Sequence, residues 1–131
     1  MVIVDTTVWI DYLNGRPTRE AAWLDRELDR RRLGITDLIL GEVLQGSRGE
    51  ARFSEVASHL LSLAVFAPGG IELAVATARN YRALRARGRT PRTTIDGRIA
   101  TFCLLNGHEL LHRDRDYDHF EQVLGLRVVH P

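Results

Sequence analysis

The chain has 131 residues, with 18 basic and 17 acidic side chains and 44% hydrophobic content. That length fits a single domain, residues 1–131, able to bury a core without staples; the lone Cys103 excludes a disulfide framework and a Cys-rich zinc site. All 18 basic residues are arginine, and without lysine there is neither a Walker-type phosphate loop nor Schiff-base chemistry.

Val2-Ile3-Val4 is a short β-branched run that predicts a buried strand ending at Asp5. TTVWIDYLNG predicts a short helix stopped by Gly15, and Thr18 to Arg32 a charged amphipathic helix carrying Ala22, Trp23 and Leu28. Leu33 to Thr36 is expected to be a second strand, and DLILGEVLQG a helix closed by Gly46. Residues 49 to 63 give another helix, with Phe53, Val56, Leu60 and Leu63 on its apolar side. Ala64 to Ala67 is a third strand, stopped by Pro68-Gly69-Gly70, and a longer helix runs from Ile71 to Arg87. After the loop GRTPR, TTIDGRIATFCLLNG is a helix closed by Gly107. His108 to Leu111 is a fourth strand, then come an acidic loop and short helix, and Leu126 to Val129 is a candidate fifth strand. Alternating strands and helices imply an open three-layer α/β/α sandwich with a central parallel sheet of four to five short strands. No apolar run approaches the ~20 residues of a membrane span, and the N-terminal stretch has no basic leader, so a cytoplasmic location is expected.

The charge is unevenly spread. Seven arginines lie between residues 79 and 98, against the single acid Asp96. A basic segment around one carboxylate, on an otherwise acidic body, points to an anionic polymer as ligand. In an open parallel sheet, sites form beyond the carboxyl ends of the strands. Asp5 ends the first strand, and Asp114 and Asp116 follow the fourth. Asp5 also reads as a helix N-cap, and Asp114 and Asp116 as a solvated turn, since Asp118 and Glu121 offer a capping pair for the last helix. Asp96 falls among Ile99, Ala100 and Cys103 on the apolar side of its helix, where an unpaired charge is costly, so a bound cation is the attractive partner. Glu42 lies just outside the apolar arc of its own helix and by itself reads as an ordinary boundary glutamate. Oxygen ligands without histidine or cysteine suit hard cations, Mg²⁺ or Mn²⁺.

Taken in order, IVDTTVWIDYL, LILGEVLQG, TTIDGRIATFCLLNGHELLHRDRDYDHF and LGLRVVHP resemble the PIN-domain family, and within it the VapC-type toxins of bacterial toxin–antitoxin pairs. The resemblance covers almost the whole chain and implies a PIN-like fold. It implies that Asp5, Glu42, Asp96 and Asp114 form an acidic site, with Asp116 beside it and Thr6 or Thr7 supplying a supporting hydroxyl. The family commonly has threonine or serine where this chain has His112, so no hydroxyl role is assigned there. Gly97 and Arg98 stand where apolar residues are frequent, which would loosen the start of that helix.

The implied activity is that of an Mg²⁺- or Mn²⁺-dependent endoribonuclease acting on tRNA or rRNA, in which water attacks phosphorus to leave 5′-phosphate and 3′-hydroxyl ends. Arg79, Arg82, Arg85, Arg87, Arg89 and Arg92 are candidates for gripping RNA phosphates, with a solvated helix face as the alternative for each. The family further implies a homodimer and a cognate VapB-type antitoxin that covers the acids and carries any DNA-reading element. Trp9 and Tyr12, three apart on one helix, suggest packing or a subunit interface; His112 and His119 are expected to be structural, and Cys103 a buried small residue. A catalytically silent PIN scaffold binding RNA or a protein partner is the rival. A haloacid-type phosphatase fails on Thr7, where its motif needs an aspartate, and on the missing lysine.

Overall fold

The computed structural model describes residues 1–131. Val2, Ile3 and Val4 are buried on both faces of β1 (Val2–Val4), which explains why the run shows no apolar–polar alternation. The chain continues through α1 (Thr6–Leu13), α2 (Arg19–Glu27), β2 (Leu33–Thr36), α3 (Asp37–Gln45), α4 (Glu50–Leu61) and β3 (Ala64–Phe66). It then forms α5 (Gly70–Ala86), α6 (Thr94–Asn106), β4 (Glu109–Leu111) and α7 (Asp116–Leu124). The strands are all parallel, in the order β3-β2-β1-β4, and helices flank the sheet as the alternating pattern requires. No helix is long and apolar enough to cross a membrane.

Helix starts are set by side-chain caps. Thr18 accepts from the amide of Ala21, Thr36 from that of Ile39, and Thr93 from that of Asp96. Gly107 ends α6 with φ +69°, a left-handed turn that glycine adopts without a Cβ penalty. Gly97 does not loosen α6, which begins three residues earlier on the Thr93 cap. A Cβ at Gly97 would meet only Thr77 Cγ2 at 3.5 Å and Phe120 Cζ at 3.8 Å, ordinary contact distances.

Three boundaries depart from expectation. α2 stops at Glu27 rather than running to Arg32, because residues 28 to 32 must turn the chain into β2 at Leu33. The fifth strand shrinks to one parallel bridge between Val128 and Leu110, held by Leu110 N donating to Arg127 O and Val129 N to Leu110 O. With β4 only three residues long, little edge is left to extend it. Finally, α7 begins at Asp116 and not at an Asp118 cap; the amide of Asp116 donates to Asp114 Oδ1 at 2.9 Å, so a side chain outside the helix satisfies its first amide.

The strand order places the crevice. β2 and β3 lie on one side of β1 and β4 on the other, so the lateral direction of the chain reverses between β1 and β4. Val4 pairs with Leu111, and Asp5 N donates to Leu111 O at 2.9 Å. The residues after each of these strands therefore emerge together at the switch point.

Candidate active site

Asp5 leaves β1 directly into α1 and is both N-cap and site residue. Its Oδ2 accepts from the Thr7 amide at 3.1 Å and the Thr7 hydroxyl at 2.7 Å, while its Oδ1 accepts from the Tyr117 hydroxyl at 2.9 Å. The same Tyr117 oxygen lies 3.2 Å from Asp96 Oδ1, so one hydroxyl stands between two carboxylates. Tyr117 is fully buried on α7, and burial together with Asp5 and Asp96 pushes its pKa well above the ordinary phenol value. It therefore remains a donor throughout the physiological range.

Asp96 is half-buried in the first turn of α6. Burial, then the neighbouring charges of Asp5 and Asp114, raise its pKa from 3.8 to about 7, against the lowering effect of the Tyr117 bond; Asp116 adds a smaller push upward. Oxygens of Asp96, Asp114 and Asp116 all lie within 4.8 Å of one another. Glu42, on α3, reaches the same end of the sheet, where its Oε1 accepts from the Thr6 hydroxyl at 2.7 Å. Thr6 and Thr7 thus divide the labour expected of one supporting hydroxyl: Thr6 orients Glu42 and Thr7 orients Asp5.

His112 does what a serine or threonine oxygen could do at its position. Its Nδ1 accepts from the Asp114 amide at 3.0 Å and bends the loop that presents Asp114. This fixes the neutral tautomer with the proton on Nε2, in keeping with a pKa lowered by burial despite surrounding acids. The ring packs 4.8 Å from that of Tyr117.

The arginines do not behave as one group. Arg92 lies across the acids from the solvent side, its side chain 73% exposed: its amide donates to Asp116 Oδ2 at 2.9 Å, its Nε to Asp116 Oδ1 at 3.2 Å, and its Nη2 to Asp114 Oδ1 at 3.1 Å. It is a counter-ion for two acids, a partnership that charge counting along the sequence does not reveal. Arg79, Arg82 and Arg85 line a shallow exposed depression on α5, Arg87 is exposed at the end of that helix, and Arg89 donates to Gln122 on α7. Trp9 and Tyr12 pack edge to face at 6.0 Å, and Cys103 is buried, both as expected.

The donor set fits a hard divalent cation. Asp96 Oδ2, Asp114 Oδ2 and Glu42 Oε2 accept no hydrogen bond from the chain, and no nitrogen or sulfur ligand competes among the acids. Asp116 has both oxygens committed to the cation Arg92, whereas those of Asp5 accept only from the uncharged Thr7 and Tyr117 donors.

Comparison with known proteins places this geometry. A model of the PIN domain matches residues 2–123. The chain belongs to the PIN domain family. As a PIN domain it is similar to VapC ribonuclease Mb1587 of Mycobacterium bovis, at 28% identity over 134 aligned residues covering 98% of each chain. The same figures hold for ribonuclease VapC11 of Mycobacterium tuberculosis. Among solved structures, FitAcB from Neisseria gonorrhoeae superposes with a TM-score of 0.75 at 18% identity, over 100% of this chain and 98% of that one. A toxin–antitoxin complex from Klebsiella pneumoniae does so with a TM-score of 0.69 at 22% identity, covering 100% and 98%. At such identities the structures establish the shared fold. Within this PIN domain, Tyr117 is the site partner that sequence reading passed over, while Arg92, expected to grip RNA phosphate, pairs instead with Asp114 and Asp116.

Proposed function

We propose that this PIN domain is an endoribonuclease toxin that hydrolyses RNA phosphodiester bonds with Mg²⁺ or Mn²⁺ and is restrained by a cognate VapB-type antitoxin. The observation that carries the reading is the convergence of Asp96, Asp114 and Asp116 oxygens within 4.8 Å, with Asp5 joined to Asp96 through one tyrosine hydroxyl. Support comes from relatives named as ribonucleases that match over 98% of both chains, and from a toxin–antitoxin complex of the same fold. Cytoplasmic action as a homodimer belongs to the same reading.

Asp5, Asp96 and Asp114 are the proposed metal holders, with Glu42 and Asp116 in support. A divalent cation bound there supplies positive charge against the scissile phosphate and acidifies water. Thr7 and Tyr117 fix the direction of the Asp5 carboxylate, and Thr6 fixes Glu42. Arg92 and His112 hold the 112–116 loop so that Asp114 faces Asp96. Attack by water leaves 5′-phosphate and 3′-hydroxyl ends.

The test is incubation of antitoxin-free protein with total RNA in Mg²⁺, Mn²⁺ or EDTA, followed by end mapping. Cleavage is expected only with metal, and Asp5→Asn and Asp96→Asn should each lower it at least ~100-fold, as expected for groups acting directly in the chemistry. Cleavage that survives Asp5→Asn, or that persists in EDTA, overturns the assignment; no cleavage by the parent protein favours a silent scaffold.

A further inference from the structure

Beside Asp116 lies an open cavity of about 460 Å³ that no hydrophobic residue lines, bounded chiefly by Arg89, Arg92, Arg115, Asp116, Asp118 and Gln122. We infer that this cavity is a subsite for one phosphate of an RNA strand, next to the scissile one, contacted by Arg89 and Arg115. The inference rests on the nuclease reading and adds to it where the strand runs.

The three arginines are not equivalent. Arg92 is committed to Asp114 and Asp116. Arg89 donates to the neutral Gln122 oxygen, which directs its guanidinium without offsetting its charge. Arg115 stands one residue after Asp114, and its side chain is exposed and makes neither a hydrogen bond nor an ion pair with the rest of the chain. Asp116 and Asp118 also border the cavity and oppose an anion, so its lining carries three positive charges against two negative. Guanidinium groups suit phosphate through paired N–H donors.

Position separates this cavity from the arginine-lined depression on α5, and a smaller hollow on the other side of Arg115, at Asp114 and Arg113, includes Val128 and Val129 in its lining. The depression between Arg79, Arg82 and Arg85 on α5 includes no residue of the acidic site. The cavity at Arg115 shares Asp116 and Arg92 with that site. A strand with one phosphate at the acids must place its neighbour one nucleotide away, and this is the polar cavity that borders Asp116. The basic segment recognised from charge alone is thus split by the fold: Arg92 serves the acids, while Arg89 joins Arg115 from a different stretch of chain.

The test uses a fluorescein-labelled single-stranded RNA decamer and the full chain carrying Asp5→Asn, in Mg²⁺, with fluorescence anisotropy across a salt series. Added to that background, Arg115→Ala and Arg89→Gln should each weaken binding roughly 3- to 10-fold and flatten the slope of log affinity against log salt by about 0.7, the value for one phosphate contact on a single strand. Asp118→Asn should tighten binding about twofold, a change of opposite sign that generalised unfolding cannot produce. Arg26→Ala, an exposed arginine on α2 with no ion pair, is the control and should change little. The subsite is overturned if Arg115→Ala leaves affinity and slope unchanged, or if Arg26→Ala costs as much. Parallel cleavage assays on the chain with Asp5 intact keep the two ideas apart. RNA cut by the parent but bound equally well by the Arg115 variant sinks the subsite alone; a parent that neither cuts nor binds RNA sinks both.

Discussion

Tyr117 and Asp5, 112 positions apart in the chain, meet through a 2.9 Å hydrogen bond at the crevice between β1 and β4. The same hydroxyl is 3.2 Å from Asp96, and a phenol has one proton to give. It can quiet only part of the repulsion between the two carboxylates. Tyr117→Phe keeps the buried ring and removes the donor. In EDTA at pH 8 the variant should lose about 1–3 kcal/mol, the usual worth of a hydrogen bond to a charged acceptor. The loss should shrink at pH 5, where Asp96 takes up a proton of its own. Urea denaturation at both pH values measures the difference.

Asp96 makes stability depend on pH in a direction unusual for a carboxylate. Its pKa is about 7 in the fold, against 3.8 for an unperturbed group. Between those values the folded chain holds a proton that the unfolded chain has released, so the contribution of Asp96 to stability is greatest below about pH 4, declines as pH rises and levels off above about pH 7. Because the group is only half-buried, the contribution is about 1 kcal/mol after allowance for solvent screening. Asp96→Asn should abolish it, giving a metal-free variant that melts a few degrees above the parent at pH 8. Calorimetry in EDTA from pH 5 to 8 on the parent and on Asp96→Asn isolates the slope by difference, since His112, its pKa lowered by burial, acts in the opposite sense over the same range; a variant whose midpoint simply parallels the parent's contradicts the argument.

Asp11 and Arg113 form a tether behind the site. The Asp11 side chain is 5% exposed and pairs with Arg113 Nη1, and with Arg16 at 3.6 Å. The Arg113 amide donates to Thr7 Oγ1 at 3.0 Å, and that hydroxyl in turn donates to Asp5. The residue before Asp114 is thereby fixed to the helix that carries Asp5. Asp11→Ala should cost about 2 kcal/mol, below the range for fully buried pairs because Arg113 is 43% exposed. Misplacing Asp114 should also slow RNA cleavage about tenfold or more. Asp11→Asn, which retains one acceptor, should fall between. Melting curves and single-turnover cleavage rates supply the two readouts.

The parts of this molecule legible in its sequence are those set by local chemistry. Val2-Ile3-Val4 reads as a buried strand because parallel sheets bury both faces, and Thr93 and Gly107 mark the ends of α6 through capping and a left-handed turn. Asp5 reads as a helix N-cap and is one, and its second carboxylate oxygen remains to accept from Tyr117, so the cap does not exclude a role in the site. What stayed hidden depends on partners distant in sequence. Nothing in the order of residues shows that Arg92 folds back on Asp114 and Asp116, or that Tyr117 faces two acids. The start of α7 was misplaced for the same reason: Asp114 satisfies the first amide of that helix from outside it.

The order in which these pieces occur along the chain has a consequence for synthesis. β1 and Asp5 leave the ribosome well before β4, Asp114 and Tyr117, which emerge only after more than a hundred further residues have been translated. Chains fold vectorially as they emerge, and the pairing of β4 with β1 is among the longest-range contacts in the sheet. A growing polypeptide therefore lacks the assembled acidic cluster until β4 and α7 have been translated, however early Asp5 is made.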